Sequence, residues 1–470
     1  LDNTSNEIII LGGGMAGLSA GHVLTNAGCR VRVFERDHTV GGLSKTIVKD
    51  GFRFDLGGHR FFTTDAATDA FVRGLMADEL VTVSRSSKIF MHGKYFDYPL
   101  RPLNAIFGMG IQATAKIMAD YGLESVKRFV KQRQIVSLED WVVNNFGRTL
   151  FSLYFQQYSE KIWGIDCSRI SAEWVAERIK GLSLAKAIKN AFFKLNGKDL
   201  PTLADRFLYP RLGIGRIAER IREEIERRNQ VVTGANVVRI NHSGHTIENI
   251  VVENEQGRQI VGGEEFVSSI PVTQLIRSLH PAPPQAVLDA ASTLRFRDLV
   301  IVAIMLDRER VTDQTWIYIP EQQIPFGRIH EPTNWSRTMA PAGKTLLVTE
   351  FFSFRGDAVW KERDERLTSV AVDNLGRLGL IEKHDILDSV VVRVPNAYPL
   401  FEIGYRERCG VLLDYLDRLN NLHVTGRSGM FRYYNMDAAI KSGVEAAAGI
   451  LRGRRSVSGE ELGHPVFTNT

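Results

Sequence analysis

The stretch EIIILGGGMAGLSAGHVLTNAGCRVRVFERD, residues 7–37, constrains the fold more than any other in this chain. Ile8 to Leu11 read as a buried strand, Leu18 to Ala27 carry the apolar spacing of a helix, and Gly28 ends that helix. Val31 to Phe34 then form a second strand with Glu35 at its C-terminal end. Between strand and helix, Gly12, Gly14 and Gly17 stand in G-x-G-x-x-G order. The first glycine permits a tight turn, the second lets backbone approach a pyrophosphate, and the third lets helix and sheet pack closely. The helix N-terminus offers unpaired N–H groups to phosphate oxygens. Glu35 can accept hydrogen bonds from an adenosine ribose and would repel a phosphate on its 2′ oxygen. Strand, helix, second strand and acid in this order predict a dinucleotide site; a glycine-rich turn in an unrelated α/β domain, with Glu35 merely solvated, is the competing account.

The chain has 470 residues, 44% of them hydrophobic, which suits two or more packed domains. Cys29, Cys167 and Cys409 are an odd, scattered set without metal-ligand spacing, so ordinary thiols in a reducing cytoplasm are expected, and no metal. A formal charge of +5, from 59 basic against 54 acidic residues, is mild, and no zinc-finger pattern or long basic block points to nucleic acid. No span reaches the length of apolar residues that a membrane crossing needs, so no integral membrane association is expected. The helical candidate NAIFGMGIQATAKIMADY could touch a membrane or another subunit, which leaves a homo-oligomer open, although internal packing is its ordinary role.

A second stretch, DLGGHRFFTTD from Asp55 to Asp65, gathers a glycine pair, a histidine, an arginine and two aromatics. Such residues can hold a planar or anionic ligand, or simply form a tight turn entering a hydrophobic element. Taken with the preceding ERDHTVGGLSKTIVKDGFRF, this region resembles the beginning of the FAD-binding family that contains amine oxidases, protoporphyrinogen oxidase, carotenoid desaturases and UDP-galactopyranose mutase. The resemblance implies FAD as cofactor. Gly41, Gly42 and Ser44 would continue the dinucleotide cradle, and Gly57 and Gly58 would bring the chain close to the flavin ring. Arg36 would cover adenine or answer the pyrophosphate charge. His59 would sit by the isoalloxazine, with a turn cap as its alternative role.

The cofactor domain reads as discontinuous. Ile214, Ile217, Ile221 and Ile225 recur at helical spacing, Val231 and Val232 follow, and Val237 to Ile240 form a further apolar segment; by resemblance, Val237 completes the adenine side. A hairpin and strand lead to Pro271. The final return is a strand at Leu422 to Val424, a turn at Gly426 and an alanine-rich helix from Asp437, where Met436 and Asp437 become candidate flavin and ribityl–phosphate contacts; a surface cap is the other role for Asp437. The expected fold class is α/β: a discontinuous Rossmann-like FAD domain from residues 1–90, 195–271 and 421–452, an inserted mixed α/β substrate region with helices from 91–194 and 272–420, and a tail at 453–470.

Later phrases, among them QYSEKIWGIDCSRISAEWVAERIKGLSL, TWIYIPEQQIPFGRIH, NAYPLFEIGY and GRSGMFRYYNMDAAI, are similar to those of UDP-galactopyranose mutase-like flavoproteins. That resemblance implies that Arg178 and Arg328 hold a sugar nucleotide's pyrophosphate, and that Tyr318, Tyr398 and Tyr433 bond the diphosphate or orient the sugar. Tyr98 and Trp163 would line the entrance, or serve as core packing. The implied reaction interconverts pyranose and furanose forms of an NDP-hexose, an anionic small molecule, through attack of reduced flavin N5 on the anomeric carbon, with NAD(P)H a candidate transient reductant. The pattern departs from the family at Ser159, where an asparagine is usual, at Arg101, where a glutamine follows a YPF phrase, and at the shortened YYNMD loop. These departures leave an FAD oxidoreductase, acting on an amine, an alcohol or a biosynthetic intermediate, as the competing enzyme, and a scaffold with vestigial FAD as the non-enzymatic alternative.

Overall fold

The computed structural model describes residues 6–98, 111–130, 134–173, 175 and 206–458. Strand β1 (Glu7–Leu11) is buried throughout because it has a parallel neighbour on each side, Glu265–Ser268 and β2 (Arg30–Phe34). Helix α1 (Met15–Asn26) starts ahead of the position its apolar spacing suggests, with Gly14 as N-cap, because the glycine turn is complete by that residue. Two of the glycines are sterically required. Gly12 has φ +101, and a side chain at Gly17 would stand 2.0 Å from the Gly12 carbonyl oxygen.

The parallel sheet runs in the order Leu422–Val424, Glu265–Ser268, β1, β2, Gln230–Val232, so strands from the start, middle and end of the chain build one layer. Helix α1 packs against Gly215–Glu226 and the C-terminal helix Met436–Ser458. The first of these buries Ile217, Ile221 and Ile225 and leaves its charged face outward, as its spacing predicts. None of the helices among the described residues is long and apolar enough to cross a membrane.

The second layer is a seven-stranded sheet, which the chain enters at Ser87. Its strand Phe296–Leu306, next to one edge, is buried at every residue and pairs antiparallel with Thr345–Ser353 and Ile386–Pro399. Arg297 faces Tyr398 but Leu299 faces Val394, so the outer strand bulges at Pro395, Asn396 and Ala397, with Asn396 at φ +57. Buried Asp298 fills this gap, accepting the Asn396 N–H at 2.7 Å and the Arg355 N–H at 2.6 Å. Such a bulge re-aims the residues beside it. A helical layer is fastened to the same sheet by Lys161, whose ammonium donates to the carbonyls of Ile319, Glu321 and Ile324 at 2.9, 2.8 and 2.7 Å.

Hairpin β3 (Thr46–Lys49) and β4 (Phe52–Asp55) ends on a fully buried carboxyl. Asp55 accepts hydrogen bonds from the Thr46 hydroxyl at 2.6 Å, the Tyr209 hydroxyl at 2.6 Å and the Ile214 N–H at 3.2 Å. It thereby ties the hairpin, and the glycine turn that leaves it, to the start of helix Gly215–Glu226. Burial raises this carboxyl from 3.8 to about 7 despite those bonds. Between these values the folded protein keeps a proton that the unfolded chain has released, so this group makes stability fall as pH rises through that window. Urea unfolding across pH 4 to 7, values set by that shift, should show the wild type losing stability relative to Asp55→Asn as pH rises. Asp55→Ala should lower stability by about 2–4 kcal/mol, by stranding the Tyr209 hydroxyl and the Ile214 N–H.

Candidate flavin and substrate site

A continuous cavity of about 1270 Å³ runs across the C-terminal ends of the parallel strands and on to the seven-stranded sheet. This is where an open α/β sheet places its ligands. At one end, buried Glu35 accepts the Gly13 N–H at 2.8 Å through Oε2 and the Asp37 N–H at 3.0 Å through Oε1. Arg36 lies exposed beside Asp37, at 3.6 Å, while Lys45 reaches Asp37 from the other side at 2.5 Å. Val237, with Ala235 and Asn236, forms part of the same wall.

In the middle, two glycine turns touch. Gly14 bridges to Gly41, and the Gly41 N–H donates to the Gly13 carbonyl at 2.8 Å. A side chain at Gly14 would project into open cavity, with Gly42 Cα the sole neighbour at 3.9 Å. Gly42 and buried Ser44 continue this floor. The N-termini of α1 and of Met436–Ser458 both open here, and Met436 and Asp437 line the cavity beside Gly426. Two helix N-termini around a groove free of side chains suit a pyrophosphate. The residues present therefore fit FAD: an acid for the ribose, a glycine floor and helix ends for the phosphates, and a further turn for the ring.

That turn is Gly57–Gly58–His59. The Gly58 N–H donates to Glu350 Oε1 at 3.2 Å, and a side chain on Gly58 would stand 1.9 Å from Trp316 Nε1. His59 Nδ1 is buried without a hydrogen-bond partner in the protein. Burial, then the nearby charges of Arg427 and Arg328, lower this imidazole to about 4, so it is neutral at neutral pH.

Opposite stands Arg328. Its Nε lies 3.3 Å from Glu350 Oε2, its Nη2 donates to the Tyr398 hydroxyl at 2.9 Å, and its guanidinium covers the Phe352 ring at 4.9 Å. Tyr398 stacks on Tyr433 with ring centres 6.3 Å apart. A second guanidinium closes this wall: that of Arg427, 4.5 Å from the Tyr433 ring centre and 5.1 Å from that of Tyr398.

Other residues singled out from sequence lie elsewhere. Tyr318 is absent from the cavity wall and packs with Tyr98 at 4.7 Å and Tyr158 at 5.9 Å, and burial pushes its hydroxyl up to about 12. Trp163 is buried in the core against Tyr398 and Phe401. Ser159 sits on helix Gln157–Trp163 and is absent from the cavity wall. Arg101 and Arg178 fall outside the described residues. Burial raises the Cys167 thiol to about 12 and that of Cys409 to about 11, so neither is a nucleophile at neutral pH.

Sequence reasoning passed over Glu350 and Arg427. Glu350 is the one acid inside the apolar run LLVTEFFSF, a signal that could have exposed it, and Arg427 directly follows the turn glycine Gly426.

Cradle, ring-side turn and sheet together define an FAD-binding flavoenzyme. Residues 15–451 match the family of flavin containing amine oxidoreductases, and the chain belongs to that family. Chloroplastic protoporphyrinogen oxidase of Nicotiana tabacum is 20% identical over 427 residues, covering 85% of this chain and 77% of that protein. Reduced UDP-galactopyranose mutase has a similar fold, with TM-score 0.81 at 21% identity over 99% of this chain and 96% of that one. Cyclohexylamine oxidase of Brevibacterium oxydans matches with TM-score 0.68 at 14% identity, over 96% and 99% of the two chains.

Because Glu350 is fully buried and pairs with Arg328, its removal leaves a buried positive charge without its partner. Glu350→Ala should lower unfolding free energy by about 3–5 kcal/mol, measured by chemical denaturation.

Proposed function

We propose that this enzyme is an FAD-dependent oxidoreductase that oxidises or desaturates a small anionic biosynthetic intermediate at the ring end of the cavity. The observation that carries this reading is the wall beside the ring-side turn. Arg328, Arg427, Tyr398 and Tyr433 line it, whereas Glu350 is buried behind Arg328 and already paired. A carboxylate or phosphate meets donors there, and an ammonium group meets like charge. Family membership and the likeness to protoporphyrinogen oxidase lend this reading more support than the mutase reading that the sequence resemblance places first.

When bound, FAD supplies a two-electron acceptor for hydrogen removed from the substrate. The chain's own residues bind and orient. Glu35 would hold the ribose, Gly14, Gly41, Gly42 and the two helix ends the pyrophosphate, and Arg328 with Tyr398 the substrate's anionic group. His59, neutral and unpartnered at Nδ1, can donate or accept a hydrogen bond beside the ring without adding charge. Ile47, Leu299 and Val394 line the cavity as well and would keep water from the substrate's apolar part.

A second reading, a pyranose–furanose mutase acting on a nucleotide sugar, is favoured by the fold likeness to reduced UDP-galactopyranose mutase and by the Arg328, Tyr398 and Tyr433 cluster. In it the same groups would hold a diphosphate, Arg178 would supply a second guanidinium, and NAD(P)H or another donor would first reduce the flavin.

Anaerobic mixing of the oxidised holoenzyme with carboxylates, phosphate esters and amines separates these readings. Flavin bleaching by an anionic compound, and not by amines, is the expected result. Furanose product from the photoreduced enzyme and UDP-galactopyranose, without bleaching by any organic acid, would select the mutase, and bleaching by simple amines would overturn both. With the active anionic compound, Arg328→Ala should raise KM by a factor of about 10–100, equivalent to about 1.5–3 kcal/mol, while the flavin spectrum is kept.

A further inference from the structure

Asp55 holds two cofactor-facing segments at once. Its hairpin partner Thr46 lies two residues beyond Ser44 of the glycine floor, and its own carbonyl accepts the Gly57 N–H at 2.8 Å, where the ring-side turn begins. Both segments are pressed onto the start of helix Gly215–Glu226. The Thr46 hydroxyl accepts the Gly215 N–H at 2.9 Å, and a side chain at Gly215 would stand 2.6 Å from the Thr46 backbone nitrogen.

The hydrogen bonds decide where a proton on Asp55 can sit. Oδ1 already receives two donors, the Ile214 N–H and the Thr46 hydroxyl, whose oxygen in turn is taken by Gly215. A proton therefore belongs on Oδ2, 2.6 Å from the Tyr209 hydroxyl. That hydroxyl has a second acceptor at hand, Met339 Sδ at 3.8 Å. With Asp55 ionised, Tyr209 donates to Oδ2; with Asp55 neutral, Oδ2–H donates to the Tyr209 oxygen and the phenolic proton turns to the sulfur. The charged side chains on the elements packed around Asp55 are engaged elsewhere: Lys45 with Asp37, Lys49 with Asp388, Arg216 with Glu79, Arg337 with Glu309 and Glu350 with Arg328, while Arg206 is exposed. Among the described residues no cation pairs with Asp55, so its carboxylate form is a buried negative charge met by hydrogen-bond donors alone.

From this geometry we infer that Asp55 is a positioning residue that couples a proton to cofactor binding: as the neutral acid it fastens the glycine floor and the ring-side turn to helix Gly215–Glu226, whereas its carboxylate form opposes the negative charge of the pyrophosphate that the floor suits. A bound dianion disfavours ionisation of a buried acid near it. The FAD-loaded protein therefore keeps a proton that the FAD-free protein releases earlier as pH rises. FAD affinity is then level below the carboxyl's own midpoint of about 7 and falls as pH rises above it. The coupling concerns the cofactor and is independent of which substrate the enzyme takes.

The test dilutes the FAD-loaded enzyme at a series of pH values on both sides of that midpoint and reads the dissociation constant from the fluorescence of released flavin. The wild-type constant should rise with pH by about three- to tenfold, the effect of a difference of about half to one pKa unit between the two states. In Asp55→Asn the amide oxygen keeps both Oδ1 donors and the NH2 donates to Tyr209, so the variant reproduces the neutral acid; its constant should stay level, near the wild type's low-pH value. Lys161, lowered to about 7 by burial, changes charge in the same window, and His38 lines the adenine end, but both are retained in the variant, so the difference between the two proteins reports Asp55. The infrared C=O stretch of a protonated carboxyl should be present in the wild-type holoenzyme at low pH, fade through that window and be missing from Asp55→Asn. Tyr209→Phe takes one donor from the carboxylate, should move the loss of FAD affinity to higher pH, and serves if the asparagine variant does not fold. A pH slope in Asp55→Asn equal to that of the wild type, a wild-type affinity level across the range, or a Tyr209→Phe profile that keeps the wild-type midpoint would each overturn the coupling, and none of them bears on the anionic-substrate reading.

Discussion

Two backbone turns meet without side chains between them: the Gly41 N–H reaches the Gly13 carbonyl at 2.8 Å, and Gly14 bridges to Gly41. Nearly every other feature of the site depends on that contact. It makes a floor on which a pyrophosphate can lie within reach of two helix N-termini, and it leaves Glu35 at one end of the groove and the Gly57 turn at the other. A β-carbon at Gly17 would press into the strand-to-helix turn, and one at Gly12 into Ser269 beside it.

The second structural decision is how this layer meets the seven-stranded sheet. Glu350 makes the connection. One oxygen accepts the Gly58 N–H from the cofactor layer and the other faces Arg328 on the neighbouring strand. A single buried carboxylate thus sets the height of the ring-side turn and the direction of the guanidinium that faces it. Behind it, His330 is fully buried and stacks on Trp335, and burial followed by the charge of Arg328 lowers it to about 3, so it brings no second cation near Arg328. Across the wall, the bulge held by Asp298 orients Tyr398 and the carbonyl that receives Arg427.

The parts of this arrangement that were legible in the sequence are those set by local chemistry. The apolar run before Gly12, the glycine spacing and the acid after β2 specify a βαβ unit within about thirty residues, a length typical of that unit. The isoleucine spacing of helix Gly215–Glu226 was equally local. Glu350 and Arg427 were not legible in the same way, because their roles arise from pairing between residues far apart: Glu350 matters through Gly58, and Arg427 through Ala397. Trp163 and Tyr318 show the converse. An aromatic in a suggestive phrase can face the core or the cavity, and helix rotation and strand register decide which.

A crystal structure of the oxidised, FAD-loaded protein would decide whether the glycine groove is the cofactor site. The adenosine ribose should lie at Glu35, the pyrophosphate between Gly14 and the first turn of Met436–Ser458, and the isoalloxazine against Gly58 and His59 with one face toward Arg328. A ribose remote from Glu35, or a ring turned away from the Arg328 wall, would contradict that placement.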